Sequence, residues 1–241
     1  MRISWGWRSI RRCFSAAAIA VVLWACGIEM SRAQSAVATA PAPPQSADAT
    51  DVCNMVTTER IVAVGDVHGG FDQFVRILRE ARIIDSRRRW AGGHAIFVQT
   101  GDTTDRGPDS RKVIDLLRKL TDEAANAGGR VHALLGNHEA MRVLGIYRDV
   151  GPGEYAAFRA PESDDLRTRY LDLLLADAAK RAKAAGTEFD ENAFRTQFVQ
   201  STPLGSVEMQ LAFAAKGDYG KWLRQRDAMV KINGILFMHG G

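Results

Sequence analysis

Residues able to hold a metal ion or move a proton gather in four short clusters of this 241-residue chain. The clusters are Gly65-Asp66-Val67-His68-Gly69-Gly70, Gly101-Asp102-Thr103-Thr104-Asp105-Arg106-Gly107, Gly136-Asn137-His138-Glu139 and His239-Gly240-Gly241. Of the five histidines, three (His68, His138 and His239) fall inside them. That coincidence points to metal-binding or catalytic work rather than to packing. His94 and His132 lie outside the pattern and read as structural, His132 as an ordinary strand residue.

Carboxylate, imidazole and amide groups in this mixture fit a pair of cations. Two ions about 3.5–4 Å apart neutralise a phosphate ester and activate water as a nucleophile. Ions that close need a bridging anionic ligand, for which Asp102 is the candidate. Asp66 and His68 are two residues apart, so at an extended strand end both point to the same side. With Asp102 they complete a first metal site. Asn137 and His239, again with Asp102, form a second. Mixed oxygen and nitrogen ligands suit Fe, Mn or Zn better than Ca or Mg.

Short apolar runs lead into each cluster. Ile61–Val64 precedes Gly65-Asp66, Ala95–Val98 precedes Gly101-Asp102, Val131–Leu135 precedes Gly136-Asn137, and Ile232–Met238 ends at His239. Between them lie helical spacings over residues 71–82 and 109–121. A long stretch from about 150 to 230 is also helical in pattern, with helices expected over Leu166–Ala185, Phe189–Val199 and Tyr219–Val230. Strands alternating with helices give an α/β fold. In open α/β sheets ligands bind beyond the carboxyl ends of the strands, so the four clusters are expected to converge.

Four motifs in this order resemble those of the calcineurin-like metallophosphoesterases of the phosphoprotein-phosphatase type: GDxHG, GDxxDRG, GNHE and HGG. Gln99-Thr100-Gly101-Asp102, Arg106-Gly107-Pro108-Asp109-Ser110 and Gly153-Glu154-Tyr155-Ala156-Ala157-Phe158 are similar to the Shewanella-like branch of that family. The resemblance implies an αββα sandwich with a helical insertion at about 150–230 and a metal-dependent phosphomonoester hydrolase, most simply a protein phosphatase. His138 then corresponds to the histidine that protonates the leaving oxygen, and Asp105 to its carboxylate partner. Arg106 corresponds to the phosphate clamp, with Asn137 also turned to the substrate. Glu139 reads either as a residue behind the ligands or as the first turn of a helix. The family supplies a further metal-binding His, and usually another phosphate-binding Arg, downstream of HGG. Because the sequence stops at Gly241, the expectation is a domain (59–241) incomplete at its C-terminus, with the second metal one ligand short. Two other readings stay open: a hydrolase of small phosphate esters or diadenosine polyphosphates, and a non-catalytic metal- or phosphate-binding remnant.

Charge argues against a nucleic-acid partner. Residues 1–33 hold five arginines and one acid (Glu29) of the chain's 32 basic and 28 acidic residues, which leaves 27 of each for the rest. The basic pI therefore belongs to the leader, and the body lacks the positive footprint of a nucleic-acid binder. Arg11-Arg12, an apolar run from Phe14 to Ile28 and Ser31-Arg32-Ala33 read as a signal peptide over 1–33, with an uncleaved membrane anchor as the alternative. Partial twin-arginine and lipoprotein patterns overlap it at Arg11–Phe14 and Leu23–Cys26. Residues 34–58 are rich in Ala, Pro, Ser and Thr and read as a linker. The expected location is periplasmic or extracellular, with membrane contact only through the leader. Cys53 is the one cysteine left after cleavage, so no internal disulfide is expected.

Overall fold

The computed structural model describes residues 54–240. The leader, the linker up to residue 53, Cys53 and Gly241 lie outside that range, and so do the expectations attached to them. The segment 54–58, expected as the end of the linker, contains a two-residue strand, β1 (Asn54–Met55).

The core is a parallel three-stranded sheet, with β2 (Ile61–Val64), β3 (Ile96–Gln99) and β4 (Arg130–Ala133) in that order. Ile61 pairs with Ile96 and Ile96 with Arg130, while Val64, Gln99 and Ala133 are level at the other end. Level carboxyl ends mean that the loops after all three strands leave from one edge. Strand β3 is buried at all four positions because both of its faces are covered, as the continuous run Ile96-Phe97-Val98 requires. Phe97 packs with Phe74, Leu78, Val113 and Leu117 under helices α1 (Phe71–Glu80) and α2 (Ser110–Asn126). Ile96 and Val98 point the other way, onto Val230 and Ile232 of a second sheet.

That second sheet has the order β1, β5 (Met229–Ile232), β6 (Ile235–Met238). The sequence pattern reads Ile232–Met238 as one strand; the structure folds it into an antiparallel hairpin. Asn233 and Gly234, both at positive φ (51° and 82°), make the turn. An Asn-Gly pair suits such a turn because both central residues need left-handed backbone. The helix expected over Tyr219–Val230 is also divided. Helix α8 (Asp218–Leu223) stops early, and β5 alternates exposed and buried residues with period two, as a half-covered strand must.

Between β4 and β5 the chain forms α3 (Asn137–Leu144), α4 (Pro152–Ala157), α5 (Ser163–Ala185), α6 (Glu191–Ser201), α7 (Ser206–Phe213) and α8. Met209, Phe213, Tyr219 and Leu223 pack with Ile114 of α2 and fasten this helical segment to the sandwich. Helices α5 and α6 make a smaller cluster of their own around Leu171, Leu175 and Phe198. No helix among the described residues is long and apolar enough to cross a membrane.

Candidate metal centre

The loops after β2 and β3 are knitted together by their backbones. Val67 and His68 N–H both donate to the Asp102 carbonyl (3.0 and 2.9 Å), and Gly107 N–H donates to the His68 carbonyl (2.9 Å). Seven non-glycine residues have positive φ among the described residues, and four of them are His68, Asp102, Asp105 and Arg106. Such backbone is costly for a residue with a Cβ and persists where surrounding contacts impose it. At Asp102 those contacts come largely from Glu139. Its carboxylate, 1% exposed, accepts from the backbone N–H of Asp102 (2.7 Å), Thr103 (2.7 Å), Thr104 (3.3 Å) and Gly136 (2.8 Å), and from the Thr103 hydroxyl (2.7 Å). Glu139 therefore holds the Asp102 loop against the start of α3.

Four of the sequence-selected side chains meet around one oxygen. Asp102 Oδ2 lies 3.3 Å from His239 Nε2, 3.5 Å from His68 Nε2 and 3.8 Å from His138 Nε2. Asp66 flanks the same point, 3.6 Å from both His68 Nε2 and His239 Nδ1. Asn137 Oδ1 lies 3.0 Å from His239 Nε2. Proximity groups these atoms differently from the sequence expectation. One set of potential ligand atoms within 4.8 Å of one another is His68, Asp102 and His138; the other is Asp66, Asp102 and His239. Asp102 is common to both.

Hydrogen bonding separates His68 from His138. The Thr104 carbonyl accepts from His68 Nδ1 (2.9 Å), so the proton of a neutral imidazole sits on Nδ1 and Nε2 carries a lone pair. That buried Nε2 has no hydrogen-bond partner and faces two carboxylates. A lone pair opposed to two anions is a poor arrangement unless a cation lies between them, and metal-bound histidines donate their other N–H to a carbonyl or carboxylate in this way. The donor set thus fits a metal ion. His138 Nδ1 bonds Asp105 Oδ2 at 2.8 Å, which likewise leaves its Nε2 as an acceptor. There, however, Arg106 Nη2 is 3.3 Å away and serves it. His138 and Asp105 are both buried, whereas Asp66, Arg106 and Asn137 are exposed.

Two charged residues behind this pair escape sequence reasoning. Arg142, fully buried in α3, places Nη2 2.8 Å from Asp105 Oδ1 and also pairs with Glu154 of α4. Burial is the main cause that pushes the Glu154 carboxyl above its ordinary range, opposed by the Arg142 charge. Glu154 lies in the Gly153-Glu154-Tyr155 stretch that carries part of the branch resemblance, so a signal existed for it. Arg142 has none: an arginine in a helix reads as a solvated face until its partners are known.

A layered α/β sandwich that gathers aspartates, histidines and an asparagine at its strand ends defines the metallophosphoesterase class. Residues 59–241 match the family model described as calcineurin-like phosphoesterase, and the chain belongs to that family. Among curated relatives, Shewanella-like protein phosphatase 1 of Plasmodium berghei is 28% identical over 188 residues, which cover 78% of this chain and 40% of that protein. Shewanella-like protein phosphatase 2 of Arabidopsis thaliana is 44% identical over 92 residues, covering 38% of this chain and 24% of that one. Among solved structures, the cold-active protein-tyrosine phosphatase of a psychrophilic Shewanella species aligns with a TM-score of 0.53 and 29% identity over 78% of this chain and 44% of that one. The chain is thus similar to members of the Shewanella-like branch and spans less than half the length of these relatives.

Proposed function

We propose that this chain carries the metal centre and proton donor of a phosphomonoester hydrolase acting on phosphorylated proteins, phosphotyrosine or phosphoserine/threonine. The observation that carries the reading is the lone pair of His68 Nε2 facing Asp66 and Asp102, beside a His138 whose Nε2 is reserved for another partner. Asp66, His68 and Asp102 would hold one ion, and Asp102, Asn137 and His239 the other. Fe, Mn or Zn bound there would neutralise the phosphate and activate water.

The chain's own groups do the rest. Exposed Arg106, its Nη2 3.3 Å from His138 Nε2, offers two parallel N–H donors to phosphoryl oxygens. His138, its Nδ1–H held by Asp105, turns Nε2 to the cleft, where a proton on it passes to the leaving oxygen. Names of the relatives support protein substrates, and the leader supports export to the periplasm or beyond.

Metal-loaded chain should release phosphate from p-nitrophenyl phosphate and from phosphopeptides faster than from diadenosine tetraphosphate. Preference for the dinucleotide would move the assignment to the nucleotide hydrolases of the same family. Retention of metal with no turnover of any ester would leave only a binding domain. Mass analysis of the mature N-terminus tests export: processing after Ala33 is expected, and an intact Met1 in the cytoplasmic fraction would refute it.

A further inference from the structure

The proton-donating pair is not free-standing. Asp105 is 0% exposed, and its two oxygens have separate occupants: Oδ2 takes the His138 Nδ1–H, and Oδ1 faces the Arg142 guanidinium. Arg142 is itself fully enclosed. Its second anionic partner is Glu154, Nη1 points at Met209 Sδ (3.2 Å), and the Tyr147 and Phe213 rings lie 5.6 and 5.2 Å from its Cζ. A buried guanidinium costs stability unless it is paired, and a buried carboxylate costs stability unless it is neutralised. Arg142 answers both needs at once. Without its charge, Asp105 and Glu154 would be buried anions whose loops touch, since Asp105 N–H reaches Glu154 Oε1 at 3.4 Å.

We propose that Arg142 and Glu154 are positioning residues for the His138–Asp105 proton donor, and that through them the helical segment sets the donor's alignment. This rests on the phosphatase reading above. The route is physical at each step: α7 supplies Met209 and Phe213 as walls, α4 supplies Glu154 as an anionic stop, and Arg142 between them fixes Asp105. Asp105 then fixes the ring plane and tautomer of His138, so that Nε2 faces Asp102 and Arg106. Arg142 and Glu154 themselves bond to none of the candidate metal-ligand side chains; their partners are Asp105, Met209 and each other. Failure of these contacts should therefore show in proton transfer to the leaving group, not in substrate or metal binding.

Leaving-group dependence separates that effect from ordinary damage. A p-nitrophenolate departs with little help, whereas phenolate needs the proton. In Glu154→Gln and Arg142→Lys, each metal-loaded, kcat on p-nitrophenyl phosphate should fall about tenfold. On phenyl phosphate it should fall about 100- to 1000-fold, within the range that general acids contribute. KM and metal content should stay near those of the parent. Glu154→Gln is the milder change, kept in case Arg142→Lys folds poorly. Loss by one common factor on both esters would mark a merely structural role and overturn the proposal. The second readout needs no turnover: in the parent, the His138 Nδ1–H should appear as a slowly exchanging, low-field imidazole proton in nitrogen-15-resolved NMR. In both variants it should exchange fast or vanish. If the parent hydrolyses no ester, the phosphatase reading falls. This signal then decides the positioning role alone, and its survival in both variants would refute it.

Discussion

At the scale of single residues, His68 and His138 divide by what serves their Nε2 atoms. His68 has only carboxylates before it, and His138 has Arg106. His68→Gln should therefore weaken metal binding by more than the roughly 10- to 100-fold typical of groups one step behind the ligands. His138→Gln should keep metal and lose about 10²- to 10⁴-fold in rate on poor leaving groups. Metal titration by calorimetry beside steady-state kinetics checks both; loss of metal from His138→Gln would make it a ligand. Glu139 supports the site differently, through hydrogen bonds to four backbone N–H groups and one hydroxyl. In Glu139→Gln the amide nitrogen must face at least two N–H donors. Unfolding in urea should show a loss of about 2–3 kcal/mol, as expected when buried donors lose a charged acceptor. The convergence of the candidate ligand residues was legible in the sequence because cation chemistry restricts the residue types and strand ends restrict the spacing. Glu139 was half legible, since a glutamate in the first helical turn has an ordinary explanation. Arg142 was not, because its role depends on Asp105, Glu154 and Met209, which lie 37, 12 and 67 positions away in sequence.

At the scale of elements, the three parallel strands could be read from their apolar runs, and their level ends explain why the clusters converge. The β5–β6 hairpin was missed as a hairpin because Ile232 to Met238 is apolar enough to pass for one strand, although Asn233-Gly234 marks the turn. Two glycines test how differently loops tolerate a side chain. A Cβ at Gly234 meets nothing within 4 Å, so Gly234→Ala carries only the left-handed backbone cost, about 1–2 kcal/mol in a melting or urea experiment. Metal affinity should be unchanged. At Gly107 a Cβ would run into the His68 carbonyl oxygen and the Gly69 backbone. Those atoms belong to the loop crossing that carries Asp105 and Arg106 beside His68. Gly107→Ala should push the two loops apart and lower both metal affinity and turnover. A Gly107→Ala protein with normal metal affinity and rate would mean that the crossing is softer than its backbone hydrogen bonds imply.

For the molecule as a whole, stability should depend on pH through a residue outside the metal-binding motifs. His132 sits on β4, 6% exposed, with its Nε2 unpartnered. It lines a cavity of about 320 Å³ together with Arg130, Gln225, Arg226 and Asp227. Burial is the main cause that lowers its pKa, the Arg130 charge adds to the lowering, and Asp227 opposes it. The unfolded chain then binds this proton more readily than the folded one. Protonation below the ordinary histidine value of 6.5 shifts the balance toward the unfolded state, so the contribution of a neutral His132 is full above that pH and is lost as pH falls from there through its lower folded value. A pH series on the parent protein alone sums every titrating group, so His132 is isolated by comparison with a variant that lacks it. His132→Asn keeps a polar side chain and removes the titration. The urea midpoint of the metal-free parent should drop between pH 7.5 and 5.5 by clearly more than that of His132→Asn. Parallel decreases in the two proteins would assign the pH dependence to groups other than His132 and leave β4 with a histidine that is only part of the wall.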